Sequence, residues 1–103
     1  MTDKITAHNF AEILRSKNSD SIAVDIRNSH ELESGKIHNT TNIPMDTLKE
    51  HIDNLKGYTH VYLVCGSGKR CEISAEELEK HHIQPIILEG GIASWKEKNL
   101  PLE

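Results

Sequence analysis

The sequence predicts an α/β fold built on a parallel sheet, and three observations predict it. Short, near-continuous apolar runs rich in β-branched residues recur along the chain: Ile22-Ala23-Val24-Asp25-Ile26, His60-Val61-Tyr62-Leu63-Val64-Cys65 and Pro85-Ile86-Ile87-Leu88. Such runs suit strands buried on both faces. Between them lie stretches whose apolar residues repeat at helical spacing. The alternation of the two implies βαβ units with right-handed crossovers, layered as an α/β sandwich.

Each element has its own signal. Lys4-Ile5-Thr6 and Thr41-Asn42-Ile43 are weaker strand candidates. Thr6 is placed to cap a helix carrying Phe10, Ile13 and Leu14 at i, i+3, i+4. Asn28 or Ser29 caps a short helix that stops before Gly35. Asp46 caps another, with Leu48, Ile52 and Leu55 on one face and Gly57 beyond its end. The longest helix is predicted over 69–82, where Cys71, Ala75 and Leu78 fall at i, i+4, i+7. Gly90-Gly91 opens a last short helix bearing Ile92 and Trp95.

Length and composition bound the function. With 103 residues the chain is read as one domain, 1–103. Any active site is then built from this fold or at an interface between copies. Aromatic residues make up 4% of the chain, so the core rests on Ile, Leu and Val. A net charge of −4 argues against a nucleic-acid partner, which needs a basic stripe. No apolar run nears the roughly 20 residues of a membrane span, and no signal peptide is visible, so no membrane partner and a cytoplasmic location are expected. Two cysteines, Cys65 and Cys71, are too few for a disulfide scaffold.

In parallel sheets ligands bind beyond the carboxyl ends of the strands. The most apolar run ends in Cys65-Gly66-Ser67-Gly68-Lys69-Arg70-Cys71, and the longest helix follows. A tight turn can aim its amides inward as an anion-binding nest, and a helix start adds partial positive charge. Both stabilise a thiolate at Cys65. Gly66 and Gly68 permit the backbone angles of a curled loop. Lys69 and Arg70 add cationic charge where an anionic substrate would sit, although cations in a first turn oppose the helix dipole. The plain alternative makes Cys65 a small buried residue ending a strand.

At this point the sequence resembles the rhodanese-like, or sulfurtransferase, family over nearly its whole length. Val24-Asp25-Ile26-Arg27 with Glu31 and Gly35 resembles the family's opening Asp-x-Arg motif. Asn42-Ile43-Pro44 resembles its Asn-Ile-Pro segment, and Gly90-Gly91-Ile92-Ala93-Ser94-Trp95 its closing Gly-Gly-x-x-x-Trp. The active loop is matched by Cys65 to Arg70. Two stretches depart from the pattern. Lys36-Ile37-His38-Asn39-Thr40 replaces the usual His-Ile-Pro-Gly-Ala, and Cys71 stands where the family commonly has serine.

The resemblance implies a three-layer sandwich with a mostly parallel, five-stranded sheet flanked by helices. It also implies a reaction. Cys65 is the expected catalytic nucleophile, taking sulfane sulfur from a small anionic donor such as thiosulfate and passing it to a thiol or cyanide. Gly66, Ser67, Gly68, Lys69 and Arg70 are the expected substrate-binding residues. A protein sulfur donor or acceptor is a further expected partner, and no cofactor is implied. The Cys-x4-Arg loop is one residue shorter than the Cys-x5-Arg loop of related phosphatases, and the shorter form goes with sulfur transfer. Two other readings stand beside this one: a thiol-disulfide or persulfide redox protein using Cys65 and Cys71, and a non-catalytic binding module.

The remaining candidates weigh toward structure. Cys71 either resolves a Cys65 persulfide as a disulfide or fills a small position facing the sheet. Asp25 and Arg27 either line the pocket or hold the fold, with Arg27 pinning the short helix through Glu31. Ser67 serves an oxyanion or the turn. The histidines, including His30 and His38, show no metal-ligand spacing and are read as surface residues, and no metal is expected. Trp95 is expected in the core.

Overall fold

In a computed structural model, which describes residues 3–16, 19–66 and 69–103, the chain folds around one five-stranded sheet. Its strands are β1 (Asp3–Ile5), β2 (Ser21–Asp25), β3 (Thr41–Asn42), β4 (His60–Val64) and β5 (Pro85–Leu88). Their order across the sheet is β1-β5-β4-β2-β3, and every pairing is parallel. The α/β sandwich is therefore as expected, with the sheet parallel throughout rather than mostly so. The helices are α1 (Ala7–Ser16), α2 (Ile52–Leu55), α3 (Lys69–Glu79) and α4 (Gly91–Glu97), with 3-10 segments at Ser29–Ser34 and Met45–His51.

Strand side chains alternate between faces, and the core divides accordingly. Val61, Leu63 and Cys65 face a layer containing Leu48, Ile52, Leu55, Cys71, Ala75 and Leu78. Tyr62 and Val64 face the opposite layer, with Phe10 of α1 and Ile92 and Trp95 of α4. Trp95 packs edge-on against Phe10, and its indole N–H donates to the Pro101 carbonyl at 2.9 Å. Full burial of such side chains stabilises by about 1.5–3 kcal/mol each. This core, mostly aliphatic with Phe10, Tyr62 and Trp95 on one side, fixes the sheet at whose carboxyl edge Cys65 follows β4.

Three boundaries differ from expectation, each for a local reason. The helix expected to be capped by Asp46 is capped two residues earlier, at Pro44, and opens as a 3-10 turn in which the Thr47 amide donates to the Pro44 carbonyl at 2.9 Å. Pro44 lacks an N–H and suits the position before a helix. Leu48, Ile52 and Leu55 are nonetheless buried on one side. The long helix ends at Glu79, not His82, because His82 takes a left-handed φ of 64° and the Ile83 amide returns to the Leu78 carbonyl at 3.1 Å. The short helix after Asn28 is 3-10; there the Asn28 amide donates to Glu31 Oε2 at 2.8 Å.

Candidate active site

Cys65 follows β4 directly and continues its alternation, so its side chain falls on the face covered by α3. It is fully buried, as is Cys71 in the first turn of α3. Both side chains belong to the core cluster between the sheet and α3. Interaction with the Cys65 side chain, followed by burial, pushes the Cys71 thiol far above its ordinary pKa, with the Cys65 charge and Asp25 acting in the same direction. Cys71 therefore stays protonated.

The loop is anchored from the other layer. Amides of Ile92 and Ala93 donate to the carbonyls of Cys65 and Gly66 at 2.8 and 3.1 Å. That fixes which way the first two loop peptides point. Gly91, with φ 59°, brings α4 close enough to make these bonds. The Gly90-Gly91 pair thus does more than open a helix: it lets α4 sit on the loop. Ser67 and Gly68 lie outside the described residues.

Lys69 is exposed. Arg70 is differently engaged. Its Nη1 and Nη2 donate to Glu31 Oε2 and Oε1 at 2.9 and 2.8 Å, a bidentate pair across 39 positions of sequence. A Cβ on Gly66 would lie 3.4 Å from Arg70 Nη2, so the guanidinium runs beside the loop backbone. Arg70, with the Asn28 amide, holds the Glu31 carboxyl down to about 2. The charge of Arg70 is thus largely committed to Glu31, while remaining close enough to favour anionic sulfur.

Asp25 and Arg27 form a buried scaffold. Arg27 Nη2 donates to Asp25 Oδ2 at 2.8 Å and to the Gly35 carbonyl at 3.0 Å, and Nη1 donates to the Glu31 carbonyl at 3.3 Å. Arg27 does pin the short helix, but through the Glu31 backbone; the Glu31 carboxylate belongs to Arg70. Asn42 Nδ2 donates to the carbonyls of Asp25 and Arg27, both at 2.9 Å, joining the Asn-Ile-Pro segment to this edge. A cleft of about 350 Å³ opens beside the loop, lined by Glu31, Ser34, Gly66, Ala93 and Lys96. Lys96, the two α4 amides and the bond from Arg70 to the Glu31 carboxylate escaped the sequence reading. A larger cleft of about 550 Å³, lined by His8, Arg15 and Trp95 among others, touches none of the loop residues. His38 pairs with Glu103, away from the loop.

The model of the rhodanese-like domain matches residues 6–98. A tRNA uridine(34) hydroxylase of Hamiltonella defensa is 34% identical over 95% of this chain and 30% of its own length. The chain thus spans less than a third of that relative. The Escherichia coli K12 protein YibN is 30% identical over 99% of the chain and 75% of its own. The crystal structure of a rhodanese-related protein from Thermoplasma volcanium superposes with a TM-score of 0.85 at 29% identity, covering 98% of this chain and 97% of that one.

Proposed function

This chain belongs to the rhodanese-like domain family, and from that premise we propose that it is a sulfurtransferase working through a persulfide on Cys65. The observation that carries the reading is the position of Cys65: it directly follows the central strand, heads a Cys-x4-Arg loop held by α4 amides, and precedes the first residue of α3 by four positions. Reactive cysteines occupy such electropositive helix-start environments.

The reaction divides one transfer into two displacements. The Cys65 thiolate attacks the outer sulfur of a sulfane donor. With thiosulfate, the S–S bond breaks and sulfite leaves with the electron pair. An acceptor thiolate or cyanide then attacks the outer sulfur of the persulfide, and the Cys65 thiolate departs. Gly66, Ser67, Gly68, Lys69 and Arg70 are the proposed substrate-binding residues, with loop amides stabilising thiolate and persulfide. Thiosulfate is one donor among several that this chemistry admits, a low-molecular-weight persulfide or a protein donor being others. The reading takes residues 1–103 as one catalytic unit. No helix among the described residues is long and apolar enough to cross a membrane.

The test is intact mass after incubation with thiosulfate, with cysteine persulfide or with a cysteine desulfurase and cysteine. The wild type is expected to gain one sulfur atom, the Cys65→Ala variant none, and added cyanide should discharge it as thiocyanate. Absence of that adduct with all three donors would overturn the proposal. So would efficient hydrolysis of an aryl phosphate that Cys65→Ser abolishes, since the short loop is proposed to exclude phosphoryl transfer.

A further inference from the structure

We propose that Lys96 is a specificity-determining residue: it binds the carboxylate of an amino-acid persulfide, cysteine persulfide being the simplest, whose sulfane sulfur Cys65 takes. The inference rests on the reading of Cys65 as nucleophile and names the donor class of that same site.

The cleft of about 350 Å³ beside the loop stands where three connections converge. Strands β5, β4 and β2 are parallel neighbours in the sheet, so their carboxyl ends lie together. The connection after β2 supplies Glu31 and Ser34, the one after β4 supplies Gly66, and α4, which follows β5, supplies Ala93 and Lys96. Ligands of parallel sheets bind at such an edge. Lys96 lies one helical turn beyond Ile92 and Ala93, on the same side of α4 as these two residues, whose amides hold the Cys65 and Gly66 carbonyls. Helical side chains tilt toward the helix N-terminus. That end of α4 abuts the loop, so the Lys96 stem leads back toward Gly66.

Other positive charge at this edge is already engaged. Arg27 also lines the cleft, but its guanidinium serves Asp25 and the carbonyls of Glu31 and Gly35. Arg70 gives both terminal nitrogens to the Glu31 carboxylate. Lys96 forms no ion pair among the described residues. The cleft thus presents an unpaired cation on one wall and a carboxylate on another. Thiosulfate, a small dianion, meets Glu31 as a repelling neighbour. Cysteine persulfide carries a carboxylate and an ammonium on one branch carbon beyond the departing sulfur, which matches Lys96 and Glu31. In the transfer, the Cys65 thiolate attacks the outer sulfur, which keeps its proton. The donor S–S bond breaks, and cysteine leaves as its thiolate with the electron pair. Lys96 therefore holds the leaving molecule and not the transferred sulfur.

The test is thiol–disulfide exchange at Cys65, which uses no sulfane donor. Cystine and cystamine both offer an aminated leaving thiol, but only cystine carries carboxylates. Rate constants for mixed-disulfide formation at Cys65, located by peptide mass mapping, give a cystine-to-cystamine ratio for each protein. Lys96→Gln should lower that ratio about fivefold. Lys96→Glu should lower it further, and Lys96→Arg should keep it close to wild type. Lys98→Gln removes an exposed charge just beyond α4 that lines no part of this cleft, and it should leave the ratio unchanged. An unchanged ratio in Lys96→Gln would overturn the proposal. An equal fall in Lys98→Gln would also overturn it, because that pattern belongs to net charge. Denaturant midpoints confirm that each variant is folded. Because exchange needs no sulfur loading, a failed ratio leaves the persulfide test standing, and a failed persulfide test leaves the ratio standing.

Discussion

Gly91 lies against the carbonyl of Cys65 so closely that a Cβ on Gly91 would stand 2.3 Å from that oxygen and 2.7 Å from the Gly66 oxygen. Both obstacles are backbone, so neither can swing aside. The close approach is also what delivers the Ile92 and Ala93 amides to the two loop carbonyls.

Gly91→Ala is therefore expected to destabilise by about 3 kcal/mol or more, through steric displacement and a left-handed φ. Gly90→Ala is the control: its φ is also positive, but its clash is 2.7 Å from Ser94 Cβ rather than with the loop. Urea melts should rank both below wild type. Sulfur loading should fall further in Gly91→Ala than in Gly90→Ala under conditions where both are folded. Equal loading would mean that the loop does not depend on α4.

Much of the fold was readable because it rests on local periodicity. The runs at 22–26, 60–65 and 85–88 became β2, β4 and β5 within a residue, since each is buried on both sides. Cys71, Ala75 and Leu78 were buried as their spacing required. What escaped the sequence was long-range pairing. Glu31 lies four residues from Arg27, which bonds its carbonyl, and 39 from Arg70, which binds its carboxylate, and proximity in sequence pointed to the first alone. The burial of Cys65 and Cys71 in one core cluster was half-legible: strand alternation gives the face of one and helical spacing the face of the other. Only the crossover brings those faces together. The N-terminal amides of α4 reach the loop through a tertiary contact, and no spacing rule encodes that.

The Glu31–Arg70 pair predicts acid sensitivity. The Glu31 carboxyl falls from its ordinary 4.5 to about 2 in the folded chain, chiefly through the Arg70 hydrogen bonds. A depressed folded value stabilises above the unfolded one and is lost as pH falls. Wild type should exceed Glu31→Gln by about 1 kcal/mol, discounted for partial exposure, at pH above 4.5. The gap should close as pH falls toward 2. Urea denaturation of both proteins across that range checks the sign; a gap that widens in acid would contradict the assignment.

Ser74 offers a substitution in the stabilising direction. Its side chain is buried in α3, and Oγ has no hydrogen-bond partner among the described residues. A buried hydroxyl without a partner carries its desolvation cost uncompensated. Ser74→Ala also improves helix propensity. It should raise stability by about 1 kcal/mol while leaving sulfur loading unchanged. A lower denaturation midpoint would mean that Ser74 has a partner in solution.

Asp25 and Arg27 test whether the carboxyl edge is held by a pair or by two independent groups. Both side chains are almost wholly buried, and Arg27 also serves the carbonyls of Glu31 and Gly35. Arg27→Met leaves the Asp25 charge buried and unpaired, which should cost about 3–5 kcal/mol. Asp25→Asn keeps the shape but weakens the bonds to the guanidinium. The double variant removes both formal charges from the buried site, so its loss should fall well below the sum of the single losses. A double-mutant cycle from denaturant midpoints should then give a coupling above about 1 kcal/mol. Additive losses would mean that Arg27 stabilises this edge mainly through the two carbonyls.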